Sequence, residues 1–128
     1  MEKLQIEGTG HTLKVDFNPS DGLLNLEGKS LPENADKFFT PLINWIKDYS
    51  ENPADSTTLV MNIDYLNTAS TKFMFTIFLK LENLKEQGHN ILAKWYYADD
   101  DEDMQNIGEE FDDVVNIPFE LISYELED

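Results

Sequence analysis

The run Asp64-Tyr65-Leu66-Asn67-Thr68-Ala69-Ser70-Thr71-Lys72 gathers hydroxyl side chains where a strand pattern gives way to a helix pattern. The first amides of a helix lack intrahelical partners and the macrodipole favours negative charge at that end, so a phosphate is well received there. A phosphoryl group on Thr68 would add roughly 1.5 to 2 negative charges and three acceptor oxygens, enough to change which partner docks. The same residues have a plainer account, in which Thr68 or Ser70 caps the helix and contributes about 1 kcal/mol. Spacing alone favours the cap.

A second chemistry is suggested by Asp99, Asp101, Asp103 and Glu110, which occupy the first, third, fifth and twelfth positions of a calcium-loop register. This makes a divalent-metal- or ligand-binding domain built on Asp99 to Asp103 the alternative reading. The register fails at its sixth position, where Met104 replaces the glycine of the sharp turn, and the segment before it reads as a strand. Capping of the following helix by these carboxylates is the simpler account, and no metal or cofactor is expected. His11 and His89 stand beside glycines in turn-like segments without a second histidine at ligand spacing, and are read as exposed. Neither a nucleophile elbow, nor a phosphate-binding glycine loop, nor a dinucleotide fingerprint occurs, and adjacent acids such as Glu109 and Glu110 say little in so acidic a chain. No catalytic residue is assigned. Trp95-Tyr96-Tyr97 could stack on a base or sugar, but strand alternation puts Trp95 and Tyr97 with Ile91 and Ala93 on a core face.

The elements that must position these groups follow from periodicity. Leu4 to Glu7, Leu13 to Phe17 and Leu23 to Leu26 read as an antiparallel meander, broken at Gly28-Lys29-Ser30. Ser30 with Glu33 resembles a capping box opening a first helix, whose apolar face runs from Ala35 through Phe38, Phe39, Leu42, Trp45 and Ile46 to Tyr49. Pro41 predicts a kink or a break within it. A strand over Thr57 to Leu66 carries Leu59, Met61, Ile63 and Tyr65 on one face. The spacing then predicts a helix over Ser70 to Gln87, stopped by Gly88 and buried through Met74, Ile77, Phe78, Leu81 and Leu84. A strand from Ile91 to Tyr97, a short helix bearing Ile107, Phe111, Val114 and Val115, and a last strand from Phe119 to Leu126 complete the chain. Strand, helix, strand implies parallel pairs with right-handed crossovers. The expected fold is α/β, a mixed β-sheet of about six strands with three or so helices mainly on one face, in one domain over residues 1–128.

Charge bounds the partners. With 26 acidic residues against 9 basic ones the formal net charge is −17, which opposes binding to nucleic acid or to an anionic membrane surface. There is no cysteine, and neither a secretory h-region nor a membrane span is visible, so a cytoplasmic protein is expected. A hydrophobic content of 41% is too high for a disordered acidic tail.

Several segments in order resemble the SiaC-type regulatory phosphoproteins, a bacterial family whose fold is like the sulfate-transporter and anti-sigma-antagonist (STAS) domain. They are Asp21-Gly22-Leu23-Leu24-Asn25-Leu26-Glu27-Gly28-Lys29-Ser30, then Pro32-Glu33-Asn34-Ala35 with Phe38, Phe39, Pro41 and Trp45. Tyr65-Leu66-Asn67-Thr68 with Ser70 and Lys72 follows, and later Trp95-Tyr96-Tyr97, Asp100-Asp101-Glu102-Asp103-Met104, Gly108-Glu109-Glu110-Phe111 and Pro118-Phe119. The resemblance implies a non-enzymatic regulator switched by a serine/threonine protein kinase and a PP2C-like protein phosphatase. It further implies that the unphosphorylated form binds and activates a diguanylate cyclase, in cyclic-di-GMP control of biofilm or aggregation. Thr68 aligns with the phosphorylated threonine, and Asn67, Thr68, Ser70 and Lys72 form the implied partner-binding surface. The family usually has serines where this chain has Ala69 and Thr71, a departure that leaves Thr68 itself in place.

Overall fold

The computed structural model describes residues 1–126. The elements are β1 (Leu4–Ile6), β2 (Lys14–Asn18), β3 (Leu23–Ser30), α1 (Ala35–Tyr49), β4 (Ser56–Leu66), α2 (Thr68–Glu86), β5 (Asn90–Ala98), α3 (Glu102–Val114) and β6 (Phe119–Tyr124). They build one six-stranded sheet in the order β1-β2-β3-β4-β5-β6. The first three strands are antiparallel neighbours, and β3 through β6 are parallel. Among the described residues no helix is long and apolar enough to cross a membrane.

Register explains which face is buried. Phe17, Leu24, Leu59, Ala93 and Phe119 lie side by side across five strands, and Val15, Leu26, Met61, Trp95 and Leu121 form the next row. Eight of these ten side chains are buried, and the β6 members Phe119 and Leu121 are partly so at the sheet edge. The intervening residues Asp16, Asn25, Lys94 and Glu120 point to the opposite, uncovered face. The expected α/β architecture, with its meander and one-sided helical layer, is therefore the observed one.

Four expectations are corrected. Antiparallel pairing with β2 does stop at Glu27, but strand β3 continues through Gly28 to Ser30, because β4 continues to Leu66 and offers it a parallel partner there. The Ser30 capping box is consequently absent. Ser30 is the buried end of a strand, and Asn34 caps α1 by accepting a hydrogen bond from the Lys37 amide at 3.1 Å. Pro41 does not break α1, which is assigned as one helix. Pro41 lies on the exposed side, where the carbonyl it leaves unpaired can bond water. Finally, the β3–β4 register shifts, with Gly28 opposite Ile63 and Lys29 opposite Tyr65. Asp64 is thus an extra residue, a bulge that reverses the alternation. Tyr65 is 49% exposed and Leu66 takes the core position instead. A smaller departure is Val114, exposed at the end of α3 while Val115 packs inward.

At the far side of the sheet, α3 is held against β5 by a hydrogen bond from Trp95 Nε1–H to the Met104 carbonyl at 3.0 Å. Gly108 makes the approach possible. A Cβ there would lie 2.5 Å from Trp95 Cδ1 and 2.8 Å from Leu121 Cδ2. Because Trp95 is fully buried and cannot give way, Gly108→Ala is expected to cost about 1 to 3 kcal/mol by overpacking, despite alanine's better helix propensity. Urea denaturation of the two proteins measures it.

Candidate functional site: the head of the central helix

The Asn67–Lys72 junction follows directly from the bulged end of β4. Asn67 is the N-cap of α2, its Oδ1 accepting from the Ser70 amide at 2.9 Å. The cap is therefore neither Thr68 nor Ser70, although an asparagine three residues before a serine amide was a legible capping signal. The Asn67 amide donates back to the Ser30 carbonyl at 2.9 Å, which ties the helix head to the end of β3.

Three hydroxyls share this turn and have three different surroundings. Ser70 is 0% exposed, and its Oγ lies 2.7 Å from Ser30 Oγ and 3.2 Å from the Ser30 carbonyl. Both contacts are satisfied together when Ser70 donates to the carbonyl and Ser30 donates to Ser70. Thr71 donates its hydroxyl to the Asn67 carbonyl at 3.1 Å. Thr68, the first helical residue, is exposed on the outer side of the turn, and Lys72 is exposed one turn further on. Of the four expected surface residues, Thr68 and Lys72 lie on the outside and Asn67 is half-buried as the cap. Ser70, by contrast, is fully buried and serves as an internal latch to Ser30. Its own mate, Ser30, lies forty positions away in sequence and carries no local signal.

Electrostatics single out this helix. The first turn of α1 contains Asp36 and that of α3 contains Glu102 and Asp103, whereas the first turn of α2 has no acid. Its positive dipole end is thus left without a carboxylate, and the amides of Thr68 and Ala69 are not used by the Asn67 cap.

The acidic segment follows the capping account. Asp101 is the N-cap of α3, accepting from the Met104 amide at 3.1 Å. Among the described residues no three His, Cys, Asp or Glu side chains come together as a metal site. A cleft of about 430 Å³ separates α3 from the end of β4, with Leu66, Met104 and Ile107 in its wall and Asp64, Asp101 and Asp103 at its rim. Nearby, Tyr124 donates its hydroxyl to Asn62 Oδ1 at 3.1 Å. Burial, followed by the charges of Asp64, Asp101 and Asp100, raises the Tyr124 phenol above its ordinary value.

Fold and site together define a small α/β protein that presents an accessible hydroxyl at the head of its middle crossover helix. The chain belongs to the SiaC family: a family model described as SiaC family regulatory phosphoprotein matches residues 6–124. An uncharacterized protein of Pseudomonas aeruginosa is 29% identical over 125 residues, covering 98% of this chain and 99% of its own. SiaC of Pseudomonas aeruginosa superposes with a TM-score of 0.90 at 28% identity, over 97% of this chain and 100% of that one. A chain in the crystal structure of the diguanylate cyclase SiaD in complex with its activator SiaC, from the same organism, matches with a TM-score of 0.90 at 29% identity, over 94% and 99% of the two chains.

Two measurements test this geometry. Ser70→Ala strands the buried Ser30 hydroxyl and is expected to cost about 1 to 3 kcal/mol, whereas Ser30→Ala with Ser70→Ala should cost less than the sum of the single changes. A double-mutant cycle in urea decides it, and additivity would sink the latch. The second concerns pH. A phenol with a raised folded-state pKa stays protonated in the fold while the unfolded chain ionises first, so stability is lost as pH climbs past 10.0 toward the folded value. Denaturation midpoints above pH 10.0 are expected to fall more steeply in the wild type than in Tyr124→Phe.

Proposed function

We propose that this chain is a non-enzymatic, cytoplasmic partner-switching regulator in one domain. Its unphosphorylated form binds and activates an effector, a diguanylate cyclase, and phosphorylation of Thr68 abolishes that binding. A serine/threonine protein kinase adds the phosphoryl group and a PP2C-like protein phosphatase removes it. The observation that carries the reading is the sorting of the three hydroxyls: Ser70 is buried, Thr71 is turned back onto the Asn67 carbonyl, and Thr68 alone of the three is exposed. Family membership supports it, as does the match to a SiaC described as the activator of a diguanylate cyclase.

The mechanism is electrostatic. The unmodified head of α2 combines helix amides that the cap does not use, no acid in the first turn and the exposed Lys72. A phosphoryl group at Thr68 reverses the sign of that surface without rearranging the core, because Ser70 and Asn67 anchor the helix from beneath. A partner surface that is apolar or acidic is then repelled, and a basic one is favoured.

The test uses wild type, Thr68→Ala and Thr68→Glu as paired baits in host lysate, with quantitative mass spectrometry, followed by cyclase assays on purified components. Thr68→Ala is expected to retain a diguanylate cyclase and raise its activity, and Thr68→Glu to lose both. Identical partners and identical activation by all three would defeat the proposal.

A further inference from the structure

The two edges of the sheet are not alike. β1 is a strand of 3 residues, and so short an edge offers little for another chain to pair with. β6 runs for 6 residues, Phe119–Tyr124, in unbroken register with β5 and with no proline, lysine or bulge inside it. Its outer side is open. The Ala93 amide donates to the Pro118 carbonyl at 2.9 Å and the Asp99 amide to the Tyr124 carbonyl at 2.8 Å, which fixes the even-numbered residues as those that bond β5. The amides and carbonyls of Phe119, Leu121 and Ser123 therefore point away from β5, and no further strand of the described residues pairs with them. The side chains of Phe119 and Leu121, which close the covered rows, stay only partly buried at this edge. Charge marks the same region. From Asp99 to Leu126 the chain contains no lysine or arginine, and Glu120 is exposed on β6. The helix packed over β5 and β6, α3, is acidic on its exposed side at Glu109, Asp112 and Asp113.

We propose that β6 is the site at which an extended, basic segment of another protein adds to the sheet as a further strand. Free amides and carbonyls at alternate positions supply main-chain hydrogen bonds, which recognise an extended chain whatever its sequence. Side chains supply the selection. A partner residue opposite Leu121 lies on the helical side of the sheet, where an apolar group extends the row Met61-Trp95-Leu121 and covers the part of Leu121 left at the rim. Its neighbours along the added strand emerge on the uncovered face beside Glu120 and Ile122, where lysine or arginine meets the Glu120 carboxylate. The favoured segment thus alternates apolar residues with basic ones. A second copy of this chain fits poorly, because it would bring Glu120 and the acids of α3 toward a molecule of the same net charge of −17. Thr68 follows the end of β4, and β5 lies between that strand and β6. The edge is therefore a contact separate from the head of α2, and a segment held there does not respond to charge on Thr68.

The experiment titrates a synthetic peptide of about ten residues, in which Lys and Val alternate, into the full chain, read by calorimetry and by NMR hydrogen exchange. A second peptide with the same residues in two blocks, all Lys and then all Val, carries the same charge without the alternation. The alternating peptide is expected to bind about tenfold more tightly than the block peptide and to slow exchange of the Phe119, Leu121 and Ser123 amides. Ser123 is exposed and its amide faces outward, so Ser123→Pro removes an edge donor while leaving the bonds to β5 in place. This change is expected to weaken the alternating peptide by about tenfold, and Glu120→Lys by about threefold, with circular dichroism verifying both folds. Thr68→Glu should bind it as wild type does, and a loss there would place the peptide on α2 and overturn the edge site. Equal affinity for the two peptides, or no change at the three amides, would reduce the effect to general attraction by an acidic chain and defeat the proposal. A peptide-free dimer, seen by sedimentation, in which those amides are already protected would give the edge to a second copy instead. Wild-type binding by Ser123→Pro would rule the edge out while leaving the switch at Thr68 untouched.

Discussion

Spatial strand order equals chain order in this sheet, and the parallel connections from β3 to β6 therefore all step in one direction. Crossovers of one hand that step one way must place every helix on the same face. Most of the architecture depends on that constraint. One face of the sheet is covered and carries the buried apolar rows, and the other is uncovered and mixed, with Leu23, Val60, Leu92, Tyr96 and Ile122 among its polar residues. The middle crossover, α2, packs over the centre of the sheet beside α1 and near α3, with its head at the carboxyl end of β4. Parallel sheets place functional loops at that end.

Within that frame the junction at Asn67 is stiff where it meets the core and open where it meets solvent. The Ser30–Ser70 pair and the Asn67 cap use their polar groups inwardly, and no buried side-chain polar atom among the described residues lacks a partner. A satisfied buried network of this kind holds one geometry, because each member would be left unpaired in any other. The proposed charge change on Thr68 would then need no matching change in the fold.

The Asp64 bulge links the two ends of this arrangement. It exposes Tyr65, turns Leu66 inward and delivers the chain to Asn67 at the position where the amide reaches the Ser30 carbonyl. Bulges that end a strand beside a functional loop serve to re-aim side chains. The aromatic interior is fixed separately on either side. Trp45 stacks on Tyr49 with centroids 5.2 Å apart and donates to the Glu2 carbonyl, while Trp95 clamps α3.

The sequence by itself determined the element order, the helical faces, the acidic character and the hydroxyl-rich junction, because each is written in a local period or in composition. It also supplied the family, through segments spread along nearly the whole chain. Tertiary structure decided what no local period encodes. That Ser30 ends a strand and meets Ser70, rather than capping α1, depends on two residues forty apart becoming neighbours. That Tyr65 faces water depends on a register shift against β3, since strand alternation is a rule about one strand and a bulge is a property of two. That Thr68, and not Ser70 or Thr71, presents an exposed hydroxyl depends on which side of α2 the sheet covers. That Leu79 is left 42% exposed on α2 depends likewise on packing, because a one-dimensional pattern records hydrophobicity but not which neighbours are there to bury it.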